Sequence, residues 1–155
     1  MERIGAVQEC VDKIVSAQGK EIDIKCGYVH LYSVSQICAL LAMKRKQNVE
    51  LAAIAGLLHD IYAYQTGNRK DHAHQGALRA RTILQELNLF SEEEIDIITG
   101  AIYRHSDKNA VDSPFDEVLK DADALQHFLI MPLVAPAPHE AARISKLKEE
   151  LGMEQ

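Results

Sequence analysis

The sequence contains few cysteines and lacks both a long apolar run and a recognisable secretion signal. Its three cysteines, Cys10, Cys26 and Cys38, leave at least one unpaired, and no two have the spacing of a zinc knuckle or a redox pair. We therefore expect free thiols in a reducing cytoplasm. Charged and apolar residues alternate at the amino terminus, unlike a signal peptide, and no apolar run approaches the roughly 20 residues of a membrane span. A cytoplasmic protein without a membrane segment is expected.

Acidic residues outnumber basic ones, 23 to 17. The formal net charge is -6, so attraction to nucleic acid phosphates is expected to be weak unless basic residues cluster on one face. The one compact basic run, residues 44–46, lies at the predicted end of a helix, where cations interact favourably with the helix dipole. We interpret it as a solvated helix end and expect no non-specific nucleic acid binding.

Strand-like alternation is not sustained anywhere, whereas apolar residues recur at helical spacing almost throughout. With 155 residues and 47% hydrophobic content, the chain is long enough for one buried core. We predict an all-α, single-domain bundle of about six or seven helices. The predicted helices cover about residues 2–18, 28–46, 49–62, 71–87, 91–105, 114 to beyond 123, and 139–151.

Three segments are expected along the chain. Residues 1–24 are predicted to form an amino-terminal helix followed by a loop from Lys20 to Gly27, and residues 25–130 form the core. Pro132, Pro136 and Pro138 interrupt the helical pattern, so residues 131–155 are predicted to be a linker and a final charged helix. That helix either packs on the same domain or is an appendage that binds a partner.

Histidines and aspartates near the ends of the predicted helices carry the strongest chemical pattern. Imidazole nitrogen and carboxylate oxygen are donors that divalent transition metals take from proteins. A single histidine on an apolar face is more often a hydrogen-bonded core residue, but here the donors recur roughly once per predicted helix, each beside an apolar stripe. The candidates are His30, His59, Asp60, His72, His105 and Asp123.

The remaining histidines are interpreted differently. His74 is two residues from His72, so on a helix it points nearly the opposite way and is expected to be exposed or capping. His127 lies one turn after Asp123, so it could approach the same site, but exposure on the helix surface is the favoured interpretation. His139 belongs to the carboxy-terminal segment.

This series resembles the HD-domain superfamily of metal-dependent phosphohydrolases, over about residues 25 to 130. The signature of that superfamily is a histidine on one helix, a His-Asp doublet on the next and a late aspartate, which His30, His59-Asp60 and Asp123 match. The late aspartate stands in a string that reads Asp-Ala-Asp-Ala-Leu here, and its first acid, Asp121, is then a supporting or surface residue. The resemblance implies an HD-type helical bundle.

Members with two metals add a histidine that opens the following helix and another at the end of an Ala-Ile-x-x-His string, which match His72 and His105. The resemblance therefore implies one or two divalent transition metal ions: iron, manganese, cobalt, nickel or zinc. Six donors exceed what one metal with an open site usually takes, whereas two metals sharing Asp60 can use them all. Asp60 and His59 are the implied catalytic pair.

The implied reaction is cleavage of a phosphate ester of a nucleotide or another small molecule by a metal-bound hydroxide. The sequence lacks the Gly-Tyr-Pro motif of the cyclic dinucleotide phosphodiesterases, and Ala63 replaces a glutamate of the deoxynucleoside 5′-monophosphatases. Small stand-alone phosphohydrolases and symmetric dinucleoside polyphosphate hydrolases are nearest in layout. Arg79 and Arg104 are candidates for binding the substrate phosphate.

The same ligands fit two other functions. A few relatives with this fold hold two irons and activate oxygen for cleavage of C–C or C–P bonds. A third possibility is a sensor that keeps the metal, binds a nucleotide and works through its charged carboxy-terminal helix. The spacing of the ligands does not separate these alternatives.

Overall fold

The computed structural model describes residues 3–153, and the fold over this range is all-α and without strands, as predicted. The described range contains eight helices, against the six or seven expected. The predicted start of the first helix at Glu2 lies outside the described residues. The helices are α1 Arg3–Ser16, α2 Glu21–Arg45, α3 Val49–Leu58, α4 Ile61–Thr66, α5 His72–Leu87, α6 Glu92–Arg104, α7 Pro114–Ile130 and α8 Ala141–Leu151.

The loop predicted from Lys20 to Gly27 was wrong, because α2 already begins at Glu21. Acidic side chains in its first turn stabilise the helix, because they interact favourably with the positive end of the helix dipole. Gly27 lies inside α2, and side chains of two other helices occupy the space that a side chain at this position would need. A Cβ atom there would be 3.0 Å from Val15 Cγ1 and 3.2 Å from Tyr64 Cδ1.

The predicted helix over residues 49–62 is divided into α3 and α4, which accounts for the additional helix. The break falls at the His59-Asp60 doublet, where Asp60 has φ -110° and ψ 11°, outside the α-helical region. Adjacent side chains on a continuous helix point about 100° apart. Because the helix is interrupted here, both side chains of the doublet turn towards the same point.

The helix α3 lies at the centre of the bundle and packs against α1, α2, α6 and α7. Its approach to α2 is closest at Gly56, where a Cβ atom would be 2.7 Å from Ser35 Cα and 2.8 Å from Ser35 N. Ser35 Oγ donates a hydrogen bond of 2.8 Å to the Ala53 carbonyl oxygen. This contact fixes the height of α3, and therefore of the doublet, against α2.

Two helix starts agree with the sequence. Ser91 and Glu94 form the predicted capping box at the start of α6, each side chain bonding the other's backbone amide. Ser113 caps α7 with Pro114 at the first helical position, and Asp116 closes a second capping box. These caps fix the ends of the two helices that carry the late ligands.

The carboxy-terminal helix α8 packs on the same bundle. Its residues Ile144 and Leu147 are buried against α7 and the core. Arg143 pairs with Glu117 and Asp121 on α7. The segment after the prolines thus lies against the helix that carries Asp123.

By length and composition alone, α2 could cross a membrane. Core helices of globular proteins meet the same criteria, and Leu31, Val34 and Leu41 of α2 are buried in the core of this bundle. The feature therefore does not indicate a membrane protein.

Candidate metal centre

Four of the predicted donors, from three parts of the chain, meet in the interior. His30 Nε2 on α2 is 3.0 Å from His59 Nε2, 3.5 Å from Asp60 Oδ2 and 3.5 Å from Asp123 Oδ1. His59 Nε2 is 3.6 Å from Asp123 Oδ1 and 3.7 Å from Asp60 Oδ2. All four residues are buried. We call these four residues the first donor group.

The other two predicted histidines approach the second oxygen of Asp60. His72, which opens α5, and His105, which follows α6, place their Nε2 atoms 3.5 Å and 3.4 Å from Asp60 Oδ1. These three residues form the second donor group. The two oxygens of Asp60 therefore face different pairs of histidines, as expected for a carboxylate shared between two ions.

Each of the four histidines has its remote ring nitrogen occupied. The Nδ1–H groups donate to oxygen acceptors, which leaves the Nε2 lone pairs directed inward. A metal-ligating histidine usually has this arrangement, because the outer hydrogen bond fixes both the tautomer and the ring orientation. The acceptors are Gln126 Oε1 for His30 at 2.8 Å, Gly56 O for His59 at 2.8 Å, Arg69 O for His72 at 3.1 Å, and Ile102 O for His105 at 2.6 Å.

Two carboxylate oxygens at the centre lack the partners that burial normally requires. Within residues 3–153, Asp60 Oδ1 and Asp123 Oδ1 are buried and accept no hydrogen bond. Leaving such a group unsatisfied costs about 1–3 kcal/mol, and more for a charged one. These two oxygens face imidazole nitrogens whose lone pairs also point inward. Hydrogen-bond acceptors therefore lie next to acceptors, with no donor between them. A divalent cation between them satisfies both, and the donor set therefore fits a metal.

The electrostatics of the centre favour charged carboxylates. Burial alone raises the pKa of Asp60, but His59, His105 and His30 outweigh burial when their imidazoles are protonated, and they then hold that pKa below its ordinary value. The pKa of Asp123 is likewise held well below its ordinary range, because Lys108 and His59 outweigh burial. Burial lowers the pKa of His105, which favours the neutral, ligating imidazole.

Lys108 is a residue of the centre that the sequence did not indicate. Its Nζ donates to Asp123 Oδ2 at 2.6 Å and to the His105 carbonyl oxygen at 2.7 Å, and the side chain is buried. It lies in the polar loop between α6 and α7, where no periodicity marks a lysine that points inward. Only the folded contacts reveal it.

His127 also reaches the centre, although its side chain is 47% exposed as a surface position would be. Its Nε2 is 3.4 Å from Asp123 Oδ1, and its Nδ1 is 2.9 Å from Glu140 Oε1. The interpretation of His127 as a helix-surface residue was therefore incomplete. Glu140, just before α8, is a further residue near the centre that no sequence pattern marked.

A cavity of about 380 Å³ opens over the first donor group. His30, Asp60, Gln126 and His127 line its polar side. The other walls carry the cations Lys25 and Arg69, the aromatic ring of Tyr64, the thiol of Cys26 and the apolar side chains Ile22, Val29 and Ile130. The volume is that of a small-molecule site.

The two arginines proposed for substrate binding lie elsewhere. Arg79 Nε donates to Gln65 Oε1 at 2.8 Å, and Arg104 forms two hydrogen bonds with Asp116, at 2.9 Å and 3.1 Å. Neither lines the cavity. The structure thus brings the six predicted donors together but not Arg79 or Arg104, and the arginine on the cavity wall is Arg69.

His74, which was expected to be exposed or capping, and His139, in the carboxy-terminal segment, both lie on the surface. His74 is half exposed and bonds Asp71 at 2.7 Å, while His139 is 59% exposed in the segment before α8. The cysteines are free, and only Cys26 lines the cavity. None of these residues adds a donor to the centre.

An all-helical bundle with a histidine, a His-Asp doublet and a late aspartate at one interior point defines the HD type of fold. The chain belongs to the HD domain family, whose pattern matches residues 27–127. Members of this family bind divalent metals, and the His and Asp clusters of this chain could hold one. The resemblance seen in the sequence is thus confirmed for family and fold.

A solved structure supports the same fold. The chain is similar to the crystal structure of a predicted HD superfamily hydrolase from an uncultured Thermotogales bacterium, with 24% sequence identity and a TM-score of 0.60. The alignment covers 93% of this chain and 88% of that one. No curated protein sequence matches the chain. Family membership suggests a hydrolase of the HD type.

Proposed function

We propose that the protein is a metal-dependent phosphohydrolase that cleaves a phosphate ester of a nucleotide or another small molecule. The observation that carries this proposal is the position of Asp60, whose two oxygens face separate histidine pairs at 3.4 to 3.7 Å. Phosphoryl transfer depends mainly on positioning and on neutralising charge, and a carboxylate shared by two cations is suited to both tasks.

The first donor group would hold one ion and the second donor group another, with Asp60 common to both. Bound divalent ions lower the pKa of a coordinated water molecule and neutralise charge on phosphoryl oxygens. The outer hydrogen bonds of the four histidines keep the donors in place without substrate. Lys108 occupies the outer oxygen of Asp123, which leaves the inner oxygen for an ion.

The cavity walls complete the proposed substrate site. Arg69 and Lys25 place positive charge on the wall and can bind phosphate oxygens. Arg69 also lies over the Tyr64 ring, 5.8 Å from its centroid, which restrains the guanidinium. Ile22, Val29 and Ile130 provide an apolar wall that excludes water from the remainder of the substrate.

The test is a screen of phosphate esters with the purified chain and manganese, cobalt or ferrous iron, performed both in air and without oxygen. We expect release of phosphate or a mononucleotide that is unaffected by removal of oxygen and is abolished in Asp60→Asn. The control is Asp96→Asn, an exposed aspartate outside this cavity. Substrate turnover that requires oxygen and mixed-valent iron would instead establish the oxygenase.

A screen in which no phosphate ester is cleaved would also be informative. If no phosphate ester is cleaved while nucleotides raise the melting temperature of the metal-loaded chain, the hydrolase proposal fails and the sensor function gains support. The melting temperature of Asp60→Asn under the same conditions shows whether that binding depends on the metal centre.

A further inference from the structure

One histidine outside the six predicted donors is arranged as they are. His127 lies one helical turn after Asp123 on α7, and its Nε2 is 3.4 Å from Asp123 Oδ1. Its ring is nearly parallel to that of His30, with 6° between the planes and 5.4 Å between the centroids. Donor atoms of His30, Asp123 and His127 all lie within 4.8 Å of one another. This spacing suits ligands of a common ion.

The other ring nitrogen of His127 is fixed from the carboxy-terminal segment. Nδ1 lies 2.9 Å from Glu140 Oε1, and Glu140 is only 4% exposed. A buried carboxylate needs a partner, and this hydrogen bond supplies one. A carboxylate that accepts the remote N–H of an imidazole is the usual support of a metal-ligating histidine, because it fixes the tautomer and makes the ligand more basic.

The contact between His127 and Asp123 also calls for a cation. With its proton on Nδ1 and bound to Glu140, the imidazole directs the Nε2 lone pair at Asp123 Oδ1, which is itself buried and accepts no hydrogen bond within the described residues. Their separation of 3.4 Å exceeds the roughly 2.7–2.9 Å of a charge-assisted hydrogen bond. Two acceptors that face each other in this way are satisfied by an ion between them.

We propose that His127, oriented by Glu140, is an additional ligand of the ion held by the first donor group, so that the carboxy-terminal segment completes the metal centre. This inference rests on the proposed metal centre. The match to the HD domain family ends at residue 127, and Glu140 lies beyond it. The ion of the first donor group would then have five ligands and the ion of the second would have three, so we expect the two sites to differ in affinity and to fill in order.

The test is a titration of the metal-free chain with cobalt(II), followed by calorimetry and by the visible absorption of the bound ion. In Glu140→Gln we expect the tighter site to weaken about tenfold to a hundredfold, the range typical for loss of an outer-sphere partner, and in His127→Ala, which removes the ligand itself, we expect a loss at least as large. The cobalt absorption spectrum of His127→Ala should change because the ion loses a nitrogen ligand. The double variant should bind no more weakly than His127→Ala, since Glu140 acts through His127.

The matched control is Glu149→Gln, which removes an exposed carboxylate from α8 and should bind cobalt as the wild type does. Circular dichroism checks that each variant folds. Because His127 is half exposed, its variant decides the question if Glu140→Gln is unstable. A His127→Ala chain with the affinity and spectrum of the wild type would overturn the inference alone, whereas a wild-type chain that binds no cobalt would overturn the metal centre itself.

Discussion

Lys108 and Asp123 form a buried ion pair in which Lys108 Nζ donates to Asp123 Oδ2 at 2.6 Å. The two oxygens of Asp123 therefore have different surroundings. Its outer oxygen is neutralised by the lysine, and its inner oxygen, Oδ1, points at the histidines and accepts no hydrogen bond within the described part of the chain. The loop between α6 and α7 therefore determines which face of the late aspartate is offered to a metal.

Replacing the lysine should destabilise the metal-free protein strongly. Lys108→Met leaves a buried carboxylate without its counter-charge, a change that typically costs about 3–5 kcal/mol. Urea denaturation followed by circular dichroism, with a chelator present, measures the free energy of unfolding. Lys70→Met, at an exposed position, is the control. A loss below about 1 kcal/mol for Lys108→Met would show that the pair contributes little.

The approach of α3 to α2 should not tolerate a methyl group. In Gly56→Ala the new Cβ would meet backbone atoms of Ser35 at 2.7 and 2.8 Å, so the helices must separate. We expect a destabilisation of about 1–3 kcal/mol and weaker metal binding, since His59 follows three residues later. Gly19→Ala, where nothing lies within 4 Å of the new Cβ, should be neutral or stabilising. Thermal melts of both variants test this, and equal melting temperatures would contradict it.

Part of the acid sensitivity should come from Glu117. Burial raises the pKa of its carboxyl, but hydrogen bonds from Arg143 and the Asp112 amide outweigh burial and hold the pKa below its ordinary value. The folded state therefore favours the charged form. The stabilisation is complete above the unfolded pKa of about 4.3 and is lost as pH falls through the lower folded pKa.

Glu117→Gln should consequently be less stable than the wild type near neutral pH, and the difference should shrink as the pH falls below about 4. Urea denaturation at a series of pH values measures it, with Glu86→Gln, at an exposed position of α5, as the control. A stability difference that stays constant over the whole series would count against a role of this ionisation.

Under the proposed function, substrate binding should depend on Arg69 and not on Arg79. Arg69 lines the cavity, whereas Arg79 is bonded to Gln65 outside it. Loss of a hydrogen bond to a charged group costs about 1.5–3 kcal/mol, so Arg69→Met should lower kcat/KM about tenfold to a hundredfold, chiefly through KM. Arg79→Met should leave both constants near the wild-type values. Steady-state kinetics on the best ester from the screen measure this, and equal effects of the two variants would refute the assignment.

The helical periodicity and the capping residues predicted most of this fold. The apolar stripes identified the helices that carry the ligands, and Ser91 and Ser113 marked two helix starts that the structure confirms. Two boundaries were wrong. The segment before Tyr28 belongs to α2, and its Gly27 packs against Val15 on α1 and Tyr64 on α4. Sequence periodicity does not show these contacts between helices.

The break between α3 and α4 was missed for a similar reason. The run from Val49 to Tyr62 is apolar and rich in good helix formers, so it indicates one helix. The backbone leaves the helical region at Asp60, where tertiary contacts of the doublet outweigh local propensity. Propensity alone therefore predicts a continuous helix at the very point where the site needs an interruption.

The candidate site was only partly readable from the sequence. The six donors stand in strings that the HD family shares, and the structure brings them together. Contacts between separate elements bring three further residues, Lys108, His127 and Glu140, near the centre. Their local sequence patterns indicate a loop for Lys108, a helix surface for His127 and a carboxy-terminal tail for Glu140. The candidate arginines, Arg79 and Arg104, lie outside the cavity, and helical phase does not show that Arg104 is held by Asp116.

The most direct test of the account is the metal content of the purified chain after equilibration with manganese or ferrous iron, measured by inductively coupled plasma mass spectrometry. We expect one or two ions per wild-type chain, and none in Asp60→Ala, whose circular dichroism spectrum should remain helical. A wild-type chain that retains no ion, or an Asp60→Ala chain that retains as many ions as the wild type, would contradict the central claim that Asp60 joins two donor groups in one metal centre.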